Sequence, residues 1–186
     1  MKIEIISGSP RDNSTTNRVA LHLAKSLKDI SEHEVGIIDM REHELMPMQK
    51  VFTSIDTTPD QYKELAKRMF EANAFILLTP EYNGGYSPAM KNMLDHFPKQ
   101  HHKAFGIVTA SPGSMGGMRA ALQLQELVYA LFGIGSPYML VVPEVDKKFD
   151  EEGNLIDPGF QKSIDLFIRE FLWLSEKLVD EKVAVS

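Results

Sequence analysis

The chain has 186 residues, 43% of them hydrophobic and 25% charged, with a net charge of −6, the profile of an ordinary globular protein with room for a sizeable core. The acidic balance and the lack of any basic block argue against a nucleic-acid surface. The absence of cysteine excludes disulfides, thiolate chemistry and cysteine-ligated metal or iron–sulfur sites. No apolar run approaches the length of a membrane span, and Met1-Lys2-Ile3 leads straight into a strand rather than a leader, so a cytoplasmic setting is expected.

Residues 2–7 read as a strand that ends in Ser7-Gly8-Ser9-Pro10-Arg11-Asp12-Asn13-Ser14-Thr15-Thr16-Asn17. From Thr15 to Ile30, Val19, Ala20, Leu23, Ala24 and Leu27 recur at helical spacing. A strand that stops in glycine, hydroxyls and one arginine, then opens a helix, suits an anion. The first N–H groups of the helix lack intrahelical partners and sit at the positive end of its dipole. Ser9, Ser14, Thr15 and Thr16 add hydroxyl donors, and Arg11 adds a charged fork suited to phosphate. An ordinary helix cap explains the same hydroxyl residues equally well. Neither Gly-x-Gly-x-x-Gly nor Gly-Lys-Ser/Thr is present, which disfavours a tightly held dinucleotide and a triphosphatase loop.

Residues 34–39 read as a second strand, and 40–58 as irregular, rich in Met, Pro and Thr. Pro59 opens a helix carrying Tyr62, Leu65, Ala66, Met69 and Phe70. The flatly apolar run 74–79 is a buried third strand. A loop, 80–88, leads to a helix over 89–97, and 103–109 gives a fourth strand. After a glycine-rich loop, 111–117, comes a helix with Met118, Leu122, Val128 and Leu131. Residues 138–142 form a fifth strand, 146–158 an exposed turn region, 159–178 the last helix and 179–186 a frayed tail. Glu4 fits poorly in a buried strand, and is expected near a strand end or beside a basic partner. His96, His101 and His102 are expected in an exposed loop rather than on a metal. Phe160, Phe167, Phe171 and Trp173 are expected to pack in the core, and Asp150-Glu151-Glu152 to be solvated charge.

Strands alternating with helices imply right-handed crossovers and a parallel sheet covered on both faces. In such a sheet ligands bind beyond the carboxyl ends of the strands. The loops 7–17, 80–88 and 111–117 all leave strand ends and converge there. In the middle loop, Gly84 and Gly85 allow close backbone approach to a flat ligand, Asn83 can pair with a pyrimidine-like edge, and Tyr82 can cover a ring face. A turn with two surface tyrosines is the plainer reading of the same residues.

Gly8-Ser9-Pro10-Arg11 with Ser14, then Pro80-Glu81-Tyr82-Asn83-Gly84, Lys91-Asn92 and Asp95, then Ser111-Pro112-Gly113 with Gly116-Gly117 and Arg119, together resemble the NAD(P)H-dependent FMN reductase family. That family includes quinone, azo-dye and chromate reductases. The resemblance runs in order over about residues 2–142. It implies a single flavodoxin-like FMN-binding domain over 1–186, an α/β three-layer sandwich with a five-stranded parallel sheet of order 2-1-3-4-5. By the same resemblance Ser9, Arg11, Ser14, Thr15 and Thr16 hold the FMN phosphate. Pro80, Glu81, Tyr82, Asn83 and Gly84 line the isoalloxazine, with Ser111 and Gly113 on its pyrimidine side. Two departures stand out: Thr16 occupies a position where many members have Asn, and Gly85 one where Ser is common.

The implied activity passes hydride from NADPH or NADH through the bound flavin to a small-molecule acceptor, a quinone, azo compound, flavin or similar. Flavin N5 carries that chemistry, so no catalytic side chain is expected. A homodimer or homotetramer is implied. The segment Leu45-Met46-Pro47-Met48 reads as core or surface filler, while in the resembling family a comparable Leu-Pro segment lies near the flavin and the subunit contact. Two rival readings stay open: a flavodoxin-type electron carrier without its own NAD(P)H turnover, and a flavin-free module that keeps only the fold.

Overall fold

The computed structural model describes residues 1–180. Strand β1 (Lys2–Ser7) leads to helix α1 (Thr15–Ile30) and strand β2 (Glu34–Asp39). After the 40–58 segment come α2 (Lys63–Glu71) and β3 (Ala74–Thr79). A small hairpin of β4 (Glu81–Tyr82) and β5 (Gly85–Tyr86) precedes α3 (Pro88–Asp95) and β6 (Ala104–Ala110). The chain continues through α4 (Met118–Ala130), two short strands β7 (Ile134–Gly135) and β8 (Leu140–Val142), and α5 (Gln161–Asp180).

The main sheet is parallel, in the order β2-β1-β3-β6, with β7 and β8 both pairing with β6. The expected order 2-1-3-4-5 therefore holds, with one difference. The fifth place is shared: β7 pairs with Ala104 and Phe105 at the start of β6, and β8 with Val108 to Ala110 at its end. Pro137, which has no N–H to donate, stands between them.

Alternation along the strands sends one set of side chains to each face. Ile3, Ile5, Ile76 and Val108 pack with α1 and α5, while Ile6, Phe75, Leu77 and Ile107 pack with α2, α3 and α4. Gly106 in β6 leaves space for the stacked rings of Phe167 and Phe171, since a Cβ there would lie 2.8 Å from Phe167 Cζ. Glu4 is buried and paired with Arg68 of α2, whose Nε donates to Oε1 at 2.9 Å. Its cross-strand neighbour is Gly36, where a Cβ would come within 2.6 Å of the Glu4 carboxylate.

Three expectations need correction. His96 is 5% exposed, its Nδ1 bonded to the Asn92 carbonyl oxygen at 2.8 Å and its ring 5.0 Å from Phe52. Trp173 is 56% exposed rather than core, because it falls on the outer side of α5. The last helix runs on to Asp180, so residues 179 and 180 are helical, and 181–186 lie outside the described residues. Among the described residues no helix is long and apolar enough to cross a membrane.

Candidate functional site

The loop after β1 is fixed at both ends. Gly8 N–H donates to the Leu78 carbonyl at 2.8 Å, and a Cβ at Gly8 would lie 3.1 Å from both the Leu78 carbonyl oxygen and Met90 Cβ and would displace the Met90 methyl, so the approach to β3 and α3 is close. At the other end Ser14 is the N-cap of α1, its Oγ accepting from Asn17 N–H at 3.1 Å. Asn17 Oδ1 in turn accepts from the Ser7 hydroxyl at 3.1 Å. The hydroxyl of Ser14 thus does the work of an ordinary cap as an acceptor, which leaves its O–H to donate elsewhere. The N–H groups of Thr15 and Thr16, in the first helical turn, lack intrahelical acceptors and stay available to an anion. Ser9 and Thr16 are buried. Arg41, which sequence reasoning missed, braces the loop from outside. Its Nη1 donates to the Asp12 carbonyl at 3.0 Å and its Nε to both oxygens of Asp39 at 3.0 Å. The Asp39 carboxylate holds the Arg41 guanidinium above its usual pKa range. The signal for this brace lies in the acidic residue at the carboxyl end of β2, one strand away from the β1–β3 junction where strand order reverses.

The middle loop folds as a turn, which the sequence also allowed. Glu81 pairs with Tyr86 and Tyr82 with Gly85 in an antiparallel hairpin. Asn83 and Gly84 form its two-residue turn, with φ of 51° and 82°. Both values are positive, as a type I′ turn requires, and Asn-Gly is its preferred sequence. The loop ends are closed by Thr79, whose hydroxyl donates to the Pro80 carbonyl at 2.9 Å and accepts from Ser87 N–H at 2.9 Å.

Glu81 spans two of the three loops. Helix α4 begins after Gly117, whose φ of 89° suits the tight entry but which has no side chain to cap with. The Glu81 carboxylate takes that role, accepting from Arg119 N–H at 3.1 Å and Ala120 N–H at 3.4 Å. A carboxylate at a helix N-terminus is favoured twice, by the free N–H groups and by the dipole. In the third loop Ser111 Oγ accepts from Gly113 N–H at 3.1 Å, and the Ser111 carbonyl accepts from Val145 N–H at 3.1 Å.

These loops enclose a cavity of about 290 Å³ beyond the carboxyl ends of β1, β3 and β6. Ser9, Arg11, Ser14, Thr15 and Thr16 line one side, and Pro80, Glu81, Tyr82 and Ser111 another. Asn83, Gly84 and Gly113 lie outside this lining. Arg11 and Tyr82, expected at opposite ends of a ligand, meet here: the guanidinium carbon sits 4.6 Å from the Tyr82 ring centroid. The Tyr82 hydroxyl is buried with no hydrogen-bond partner among the described residues. A buried orphan hydroxyl is costly unless a ligand or water satisfies it. The Leu45–Met48 segment also lies outside the lining. It is pinned to α3 by Asn92, whose Nδ2 donates to the carbonyls of Leu45 (3.1 Å) and Met46 (3.0 Å) while Oδ1 accepts from Met48 N–H at 2.9 Å.

A larger groove of about 590 Å³ runs between α1 and α5 past Ile30, Leu172 and Trp173. It touches none of the strand-end loops, and Asp29, Asp165 and Glu176 set carboxylates along it, the wrong sign for a phosphate. Its one cation, Arg169, faces those three carboxylates, whereas Arg11 in the smaller cavity shares its lining with hydroxyls and a single carboxylate, Glu81.

Residues 1–145 match the family model described as NADPH-dependent FMN reductase. An FMN-dependent NADPH-azoreductase from Staphylococcus aureus is 32% identical over 181 residues, covering 92% of this chain and 94% of that protein. Among solved structures, the flavoenzyme NAD(P)H:(acceptor) oxidoreductase FerB from Paracoccus denitrificans superposes with a TM-score of 0.79 at 20% identity, covering 95% of this chain and 97% of that one. A flavodoxin variant from Pseudomonas aeruginosa gives 0.58 at 18% identity, covering 92% and 99%. The solved structures carry the fold, which is flavodoxin-like, and the family match carries the chemistry. The chain belongs to the NADPH-dependent FMN reductase family, as an oxidoreductase that uses FMN and NAD(P)H.

Proposed function

We propose that the cavity is the FMN site and that the enzyme delivers reducing equivalents from NAD(P)H to a small-molecule acceptor of the quinone, azo or free-flavin type. The observation that carries this reading is the convergence of the three strand-end loops on one cavity, with nine of the twelve expected side chains in its lining: five from the first loop, three from the second and one from the third.

The chemistry of the lining fits the cofactor. Arg11 and the first-turn N–H groups of α1 supply charge and donors for a phosphate, and Tyr82 supplies both an aromatic face and an orphan hydroxyl. The cavity, at about 290 Å³, lies just below the usual range of about 300–1,000 Å³ for ligand pockets, so Asn83, Gly84 and Gly113, beyond its lining, would supply further contacts to the ring. Bound FMN supplies the two-electron transfer between nicotinamide and acceptor. The protein's part is binding and orientation: Arg11 neutralises the phosphate, and Glu81, by holding the hairpin to α4, fixes the ring's platform. No side chain in the lining is assigned a proton-transfer role. A homodimeric or homotetrameric assembly and a cytoplasmic setting belong to the same reading.

The test is a visible spectrum of the purified protein before and after anaerobic NADPH or NADH, followed by turnover with an azo dye, a quinone and free FMN. An oxidised-flavin spectrum bleached by either nucleotide is expected. A protein that takes up no added FMN overturns the assignment of the cavity, and bound flavin that neither nucleotide bleaches overturns the activity.

A further inference from the structure

Helices α1 and α5 cover one face of the sheet, and both carry apolar residues that the core leaves unused. The inward stripe of α5 is Ile164, Phe167, Ile168 and Phe171, all buried. Asp165, Arg169, Trp173 and Glu176, spaced four, four and three residues apart, form a second stripe beside it. With Asp29 and Ile30 of α1 this stripe lines the groove of about 590 Å³. Ile30 is 62% exposed and Trp173 56%, so the apolar surface of the groove is open. Its volume falls within the range of about 300–1,000 Å³ that suits a small molecule.

The charges select the kind of molecule. The lining holds three carboxylates, Asp29, Asp165 and Glu176, against one guanidinium, Arg169. The hydrogen bonds of Arg169 run to Glu170, outside the lining, its Nε and Nη2 donating to Oε1 at 3.2 and 3.1 Å. Asp165 accepts from the Gln161 amide at 2.7 Å, a neutral donor that leaves the carboxylate its charge. Glu176 Oε1 lies 3.0 Å from His33 Nε2. Asp29 has no hydrogen-bond or ion-pair partner among the described residues. Negative charge in excess therefore lies along an apolar wall that includes a half-exposed indole. Such a wall suits a flat organic cation: the carboxylates attract the charge, indole is the best cation–π face among side chains, and the aliphatic residues cover the ring body. An anion of the same shape loses the first two attractions.

We propose that the α1–α5 groove is a binding site for a planar aromatic cation, held by Asp29, Asp165 and Glu176 and stacked on Trp173. No strand-end loop lines the groove, so this site is separate from the flavin cavity and stands without the flavin reading.

The test uses the purified full chain, with and without FMN, in the absence of nicotinamide. The probe is methyl viologen, a flat bipyridinium dication, and its control is biphenyl dicarboxylate, of similar shape and opposite charge. Trp173 is the only tryptophan of the chain, so quenching of its emission reports contact in this groove, and titration calorimetry measures affinity independently. Saturable quenching by methyl viologen is expected, with a matching calorimetric Kd that FMN leaves unchanged, and no binding of the dicarboxylate. Trp173→Leu is expected to weaken binding about three- to thirtyfold. Asp29→Asn combined with Asp165→Asn is expected to weaken it at least tenfold and to remove most of its salt dependence. All three side chains are exposed, so both variants are expected to melt near the wild-type temperature. Quenching that never saturates, equal binding of the dicarboxylate, or an affinity unchanged in either variant overturns the proposal. So does displacement of the dication by FMN, which would place it in the flavin cavity. A Trp173 emission maximum that shifts with protein concentration alone also overturns it, because a second copy of the chain would then cover the groove.

Discussion

Replacing Glu81 with alanine tests whether the hairpin and α4 are held together by a helix cap. The carboxylate accepts two first-turn N–H groups of α4, from Arg119 and Ala120, and Gly117 offers no substitute. Losing a side-chain cap costs about 0.5–2 kcal/mol, and losing a negative charge at a helix N-terminus about 0.3–1 kcal/mol. These overlap, since the same carboxylate does both, so the expected total is about 1–2 kcal/mol. The Arg119 ion pair adds little, being 3.8 Å long with the arginine 72% exposed; such pairs are worth at most about 1 kcal/mol and commonly less. In a protein of 186 residues this corresponds to a fall in Tm of about 3–6 °C. Glu81→Gln keeps an acceptor and should lose about half as much. Thermal and urea unfolding of the flavin-free protein give the measurement, with Arg119→Ala as the second arm of a double-mutant cycle. Arg119→Ala should be nearly neutral. If it costs as much as Glu81→Ala, and the double variant costs no more than either, the ion pair is the tie and the cap argument is wrong. A Glu81→Ala protein that unfolds at the wild-type midpoint refutes both.

Arg11→Ala should weaken FMN binding about ten- to a hundredfold, the equivalent of losing a charged hydrogen bond of about 1.5–3 kcal/mol; a flavin-fluorescence titration giving a Kd within twofold of wild type would remove Arg11 from the phosphate site. Gly106→Ala should destabilise by about 1–3 kcal/mol through overpacking, because its Cβ would meet Phe167 at 2.8 Å and Phe171 at 3.0 Å; an unchanged denaturation midpoint would show that the rings can move. Burial lowers the pKa of His22, whose Nδ1 lies 3.0 Å from the Gly153 carbonyl and whose Nε2 is buried without a partner among the described residues, and burial likewise lowers that of His43. The unfolded chain therefore binds protons first as pH falls below 6.5, so stability is full above that value and declines below it; His22→Gln should flatten part of this decline in melts between pH 7 and pH 5, and an unaltered slope would refute the assignment.

The sequence is most legible where a signal is local. Ser14 followed by the apolar period of Val19, Leu23 and Leu27 predicts a helix from Thr15 to Ile30, and α1 has those bounds, because cap and period lie in one continuous stretch. The strands β1, β2, β3 and β6 follow from short apolar runs for the same reason. The β4–β5 hairpin has a local signal too, in Asn83-Gly84, but glycine at a ligand and glycine in a I′ turn look alike in sequence. The split fifth strand is hidden by Gly133 and Gly135, which read as a turn, and only the edge of β6 recruits Ile134 into pairing. What no local reading supplies is contact across the fold. Arg11 over Tyr82, Glu81 on α4 and Arg41 on Asp12 join residues from different loops. His96 is buried by Phe52, which comes from the irregular 40–58 segment. The candidate cavity was legible as a meeting of loops, and nine of the twelve expected residues line it, whereas the contacts among those side chains were not legible.

The break between β7 and β8 also bears on what the protein avoids. An open sheet has two sides along which unpaired N–H and C=O groups can template another chain, and long flat edges invite aggregation. On the β6 side this template is cut into pieces of two and three residues with Pro137, a non-donor, in the gap. Neither piece is long enough to seed strand addition. Among the described residues, growth of the sheet by a foreign strand is thereby confined to the β2 side.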